Sequence, residues 1–368
     1  MQLMSAHAPA WFWPLVVRLL AAIGLWGCPV AAVWADCTVE RSSDPSGPVL
    51  TIHLSRSCSE AEREARAIPA GELMAALLKG KGVDLSGVVV KGDVFFDELP
   101  VTKLEALTSI TAQDRQALEP VKAEDLHVIQ GPFVLTRSRV DGRLMNRLKG
   151  GYLVITGPVI LTETRFGGQL DLSRTVYLGM VDLSKATFDA ESYFVQSRFT
   201  QGAMYADTRF GPHARFHRSQ FGGPAVFKAA DFSGLSELLE VVFQQPANFT
   251  GVRFHLGTGF SGARCMAKCD FSDARFEREA FFLFAQFDRP PVFASARFGG
   301  IADFSDSEFK SDDDLVRATF AQPPLLARAK RITQARPGSQ DSGPWSQAVT
   351  AGLVLIGLVL LFYGMRAK

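Results

Sequence analysis

The sequence predicts an all-β solenoid, a β-helix with a small helical N-terminal cap and a C-terminal transmembrane helix. Three observations carry this. The chain holds 29 Phe against 5 Tyr and 5 Trp, an excess that points to one structural slot used many times. From Phe188 onward the rings recur in steps that alternate between six and five residues, through Phe194, Phe199, Phe210, Phe216 and Phe221 and on to Phe320. A second column stands two residues before each slot and is nearly all small, opening with Ala186, Ser192, Ser197, Ala203, Thr208 and Ala214.

The period is therefore eleven residues carrying two apolar slots. Where a ring is missing, Tyr205, Leu238, Cys265 or Leu315 keeps the register. On an extended chain, positions i−2 and i point the same way, so a small residue and a ring share the inward face. An α-helix does not account for the pattern, because slots five and six apart fall on opposite sides of it. Repeated Gly, with Pro224, Pro290 and Pro291, would also interrupt a helix. Short strands joined by tight corners do account for it. Phe188, Phe199, Phe210, Phe221, Phe232, Phe254, Phe276, Phe293 and Phe304 are the expected structural core.

Four segments share a finer pattern of small residue, Asp or Asn, Phe, small polar residue and a variable one. They are Ala230-Asp231-Phe232-Ser233-Gly234, Ala247-Asn248-Phe249-Thr250-Gly251, Cys269-Asp270-Phe271-Ser272-Asp273 and Ala302-Asp303-Phe304-Ser305-Asp306. This resembles the pentapeptide-repeat family over residues 150–320. The resemblance implies a right-handed quadrilateral β-helix with four faces per coil. The extra residue in each eleven departs from the family pattern, giving a coil of about twenty-two residues and putting a square section in question. Four slots per coil, at the ~4.8 Å spacing of neighbouring strands, predict seven or eight coils and a rod on the order of 35 Å tall.

Outside the regular region, residues 151–320, the chain divides by composition. Residues 1–35 read as a signal peptide or N-terminal anchor, with an apolar run after Arg18 that ends at Val33-Trp34-Ala35. Residues 36–80 form an N-terminal cap region, in which Glu60 to Leu78 is expected as one helix. Residues 81–150 read as irregular early coils with a helical insertion between Glu105 and Asp125. Val128-Ile129-Gln130-Gly131-Pro132 and Val154-Ile155-Thr156-Gly157-Pro158 are near copies, and Val89-Val90-Lys91-Gly92-Asp93 is a looser third. A basic linker, 321–344, leads to residues 345–365, which carry no charge and suffice for a transmembrane helix with Trp345 and Tyr363 at its ends. Arg328, Lys330, Arg331 and Arg336 before this span run against the positive-inside rule if the repeat is exported. The leading segment is given precedence.

Little chemistry stands out. Formal net charge is +1, which favours neither nucleic acid nor anionic lipid. Cys37 and Cys58 are expected to form a disulfide. Cys265 and Cys269 occupy a ring slot and a small-residue slot and read first as buried apolar residues, with a disulfide as the alternative. A corner separates His213 from His217, which argues against a shared metal, and Asp312-Asp313-Asp314 reads as a solvated turn. No nucleophile elbow, phosphate loop or zinc-ligand spacing occurs. The expected protein is therefore not an enzyme and has no catalytic residues, cofactor or metal. It is expected to be a membrane-tethered repeat scaffold or protein-interaction surface, its partners being membrane lipid through residues 345–365 and an unidentified protein on the periplasmic side, with no nucleic acid. The alternative that the resemblance implies is a cytoplasmic DNA mimic binding a topoisomerase-like partner, which requires a strongly anionic rod.

Overall fold

A computed structural model describes residues 36–331 except 43–45, 109, 122–124, 149 and 311–314. The leader 1–35, the acidic run Asp312-Asp313-Asp314 and the span 345–365 lie outside the described residues. Among the described residues no helix is long and apolar enough to cross a membrane.

Four sheets form the walls of a β-solenoid. Within one coil the chain visits them in turn: Val181–Asp182 on wall 1, Thr187–Phe188 on wall 2, Ser192–Tyr193 on wall 3 and Arg198–Phe199 on wall 4. Each strand pairs in parallel with its equivalent one coil later, as Val181 with Ala203 and Ser192 with Ala214. Contacts such as Arg215 to Glu237 span 22 residues, so the extra residue in each eleven is absorbed into a longer coil and stacking survives.

The corners explain how. In each five-residue step one residue adopts a left-handed conformation, including Lys185 (φ 60), Gln196 (φ 55), Asp207 (φ 57) and Arg218 (φ 56). Non-glycine residues pay a steric cost there. On walls 1 and 3 an Asp or Asn prepares some of these turns, since Asp182 accepts the Ser184 amide (2.8 Å) and Asp303 that of Ser305 (2.9 Å). That local bond is why Asp or Asn precedes Phe in the repeat. The six-residue steps make the other corners. There Gly234 lies so close to the coil beneath that a Cβ would stand 1.8 Å from the Pro212 carbonyl oxygen.

The rings do not share a single axis. They form one stack per wall, with neighbouring stacks edge to face. Wall 2 stacks Phe166, Phe188, Phe210, Phe232, Phe254, Phe276, Phe298 and Phe320 without a break. Phe254 and Phe276 are parallel at 5.0 Å, whereas Phe254 and Phe260 of the next wall meet at 88°. Both arrangements suit the ring quadrupole. The small column lies beneath these rings because nothing larger fits, and several of its hydroxyls bond the chain one coil below, although Ser192 Oγ is buried without a partner among the described residues. Ser197 Oγ donates to the Leu172 carbonyl (2.9 Å) and Thr208 Oγ1 to that of Leu183 (2.8 Å).

The rod is longer than the regular repeat predicts. Wall 2 has eleven strands, giving a height of ~50 Å rather than 35 Å. Irregular early coils account for the difference, stacking on the same walls despite their insertions. Arg139 pairs with Val89 across an insertion that separates neighbouring coils by 50 residues. The inserted chain carries a helix, Ala112–Leu118. Its Leu107 and Leu118 cover Val154, Val176 and Leu178 on the outside of wall 4.

Three expectations need correction. The helix expected over Glu60–Leu78 is two, α1 (Glu60–Ala65) and α2 (Ala70–Leu78), separated by the short strand Ile68–Pro69. Pro69 lacks an amide hydrogen and disfavours helical geometry at Ile68. Helix α2 buries Leu73, Met74 and Leu77 against the solenoid core, closing an end whose strand edges would otherwise stand open. Val128–Ile129 and Val154–Ile155 are equivalent on wall 4, but Val89–Lys91 stands on wall 2, so the third copy is not equivalent. Finally, residues expected in the linker continue the solenoid: Leu325 bridges Asp303, and Lys330–Arg331 pairs with Glu308–Phe309.

Candidate interaction surface

Nine rings marked by spacing alone, Phe188, Phe199, Phe210, Phe221, Phe232, Phe254, Phe276, Phe293 and Phe304, are each 2% exposed or less. They fill the interior, so what the solenoid offers a partner is its outward columns. Cys37 and Cys58 are joined by a disulfide that ties the first strand to the start of α1, and Cys265 and Cys269 form a second across a wall 4 to wall 1 corner. The second pair is thus crosslinked rather than merely packed, because a ring slot and the following small slot face each other around that corner.

Outward charges pair between coils. Arg215 Nε donates to Glu237 (2.7 Å), Arg218 to Glu240 (2.8 Å) and Arg264 to Asp288 (3.1 Å). Their spacings of 22 and 24 residues were visible in the sequence as opposite charges one coil apart, a signal that attention to the rings passed over. Exposed pairs of this kind contribute little stability each. They set the pattern of each wall.

His213 and His217 do not converge. His213 lies on the strand His213–Arg215 of wall 3 with Nε2 3.3 Å from Glu237, while His217 follows the inward Phe216. Burial pushes the Glu237 carboxyl up, but His213 and Arg215 outweigh it and hold the group below the usual range. Burial lowers His217. Among the described residues no group of three or more His, Cys, Asp or Glu is placed to hold a metal ion.

Wall 2 differs. Arg253, Arg275 and Arg297 pair in register on three successive strands, side by side at ~4.8 Å strand spacing. None of the three has an ion pair among the described residues. Like charges directly opposite are unfavourable; Asp231 stands in register beside Arg253, and from there the column runs on as a basic stripe.

Four stacked parallel walls around a filled core define a quadrilateral β-solenoid, a class in which the repeat itself makes the surface. A family model for pentapeptide repeats (nine copies) matches residues 176–220. Taken with the 22-residue coils, it makes this chain a pentapeptide-repeat protein. No curated protein and no solved structure matches it. Proteins of this family are generally structural or interaction proteins rather than enzymes.

Proposed function

We propose that the protein is a non-enzymatic interaction scaffold, held at a membrane through residues 345–365, with its solenoid on the periplasmic side and wall 2 facing an acidic protein partner. The carrying observation is the column Arg253, Arg275 and Arg297, three like charges in register on successive strands with no ion pair among the described residues. A filled core leaves no interior site to compete with it. The tether is supported by the uncharged run from Trp345 to Met365, which has the length a bilayer requires, and the side by the leader ending near Ala35. A basic wall also argues against DNA mimicry.

Fractionation tests the tether. The full chain should stay with membranes after an alkaline wash, and a chain ending at residue 344 should be released. Protease added to spheroplasts should degrade the solenoid; protection would place it on the other side of the membrane. Replacing Arg253, Arg275 and Arg297 together by Glu should abolish capture of an acidic partner. Retained capture would remove wall 2 from the reading.

A further inference from the structure

The cap region holds a second, concave basic feature. A cleft of about 650 Å³ opens between α1 and the corner joining walls 1 and 2, lined by Arg56, Arg63, Arg137, Arg139, Arg165 and Glu163 among others. Several other cations around the cap are matched with carboxylates: Arg41 with Glu72, Arg143 with Asp93 and Arg147 with Asp97. In the cleft, Arg139 is matched by Glu60, Glu64 and Asp141, and Arg165 by Asp189.

The other three arginines have no ion pair among the described residues. Arg63 is fixed by neutral carbonyls, those of Cys58 (3.1 Å), Gly87 (2.7 Å) and Ser55 (3.2 Å). Gly87 makes room for it, since a Cβ there would lie 2.4 Å from Arg63 Nη1. Arg137 donates to Ser86 Oγ (2.6 Å) from a left-handed backbone position (φ 51). Arg56 is exposed and has no polar partner among the described residues. Burial, then Arg56 and Arg63, push the Arg137 guanidinium down from its ordinary value, and Glu163 only partly opposes them.

We propose that this cleft binds a phosphate monoester, with Arg56, Arg63 and Arg137 gripping its oxygens. Over the whole cleft the arginines are balanced by carboxylates, but Glu60, Glu64, Asp141 and Asp189 sit on Arg139 and Arg165; beside Arg56, Arg63 and Arg137 the lining carboxylate is Glu163, and a phosphate monoester near pH 7 brings about −1.5 to −2 to that side. The planar donor fork of Arg suits phosphate oxygens. Arg63 is already immobilised by the carbonyls, so little ordering remains to be done on binding. The ester could be a free metabolite or a lipid headgroup, since the recognised chemistry is the same.

Calorimetric titration of the full chain with inorganic phosphate and with glycerol 3-phosphate, at constant ionic strength, tests this. Saturable binding is expected, at least about tenfold weaker in Arg56→Gln and in Arg137→Gln and unchanged in Arg289→Gln, which lies far along the rod. Arg56 is exposed and lacks a partner among the described residues, so its variant should melt like the parent and keep the test valid if Arg137→Gln misfolds. Sedimentation with phosphatidylcholine vesicles containing phosphatidic acid separates the sources, because binding there alone, lost in Arg56→Gln, assigns the phosphate to lipid. Absence of binding to all three probes, or binding that neither Arg substitution weakens, overturns the proposal.

Discussion

The early coils and the ring-filled coils use one frame in two ways. On wall 2 the inward column runs Ile68, Val90, Val140 and then Phe166, Phe188 and Phe210. Below the change the slots are mostly aliphatic, with Phe96 and Phe133 as isolated rings set edge to face, the chain leaves the frame for helices, and Asn146 sits 5% exposed where wall 3 later places rings. Above it the rings stack face to face and the 22-residue register runs on to the last coil. The comparison teaches that parallel wall hydrogen bonds are enough to align coils, whereas rings tie each coil to its neighbours through side chains too. In a stack where each coil meets only those above and below, an insertion in the aliphatic part is tolerated because it leaves the wall strands in place.

Ways to break that comparison follow by size. Phe254→Ala removes a ring stacked on both sides and should cost about 3–5 kcal/mol in a denaturant melt, against about 2 kcal/mol for Val140→Ala in the same column. Equal losses would show that the rings add nothing beyond volume. Cys37→Ser opens a crosslink with a sequence separation of 21 and should cost about 2–4 kcal/mol, felt first as loss of amide-exchange protection in the cap. A cap as protected as before would deny the crosslink its role. Gly234→Ala should cost about 1–3 kcal/mol by pushing the backbone off Pro212. An unchanged melt would mean the six-residue corner gives way freely.

The smaller effects probe polar atoms. Tyr205 is wholly buried in a ring slot and its hydroxyl has no partner among the described residues. Tyr205→Phe should therefore stabilise by about 1 kcal/mol, and destabilisation would reveal a partner for that oxygen. The weakest is a pH effect. Asp231, opposed in part by burial and aided by Glu277, raises His255 above its ordinary value. A raised folded value means that this stabilisation is fully present below the unfolded value near 6.5 and is lost as pH rises through the folded one. Because the group is substantially exposed, His255→Gln should flatten the stability profile above pH 6.5 by only a few tenths of a kcal/mol. A profile identical to the parent's would exclude the bridge.

Much of this protein was decided by the sequence itself. The eleven-residue period, the 22-residue coil and the inward pairing of a small residue with a ring follow from which side chains repeat, because burial on an extended strand depends on spacing alone. The tertiary structure decided the rest. Sequence spacing did not show that Val89 stands on wall 2 or that it aligns with Arg139 in the next coil, because register there depends on how the intervening chain folds back. It also did not bring Arg63, from α1, beside Arg137, from a corner more than seventy residues later. Contacts of that kind are made by stacking, which joins positions whose separation carries no periodic signal.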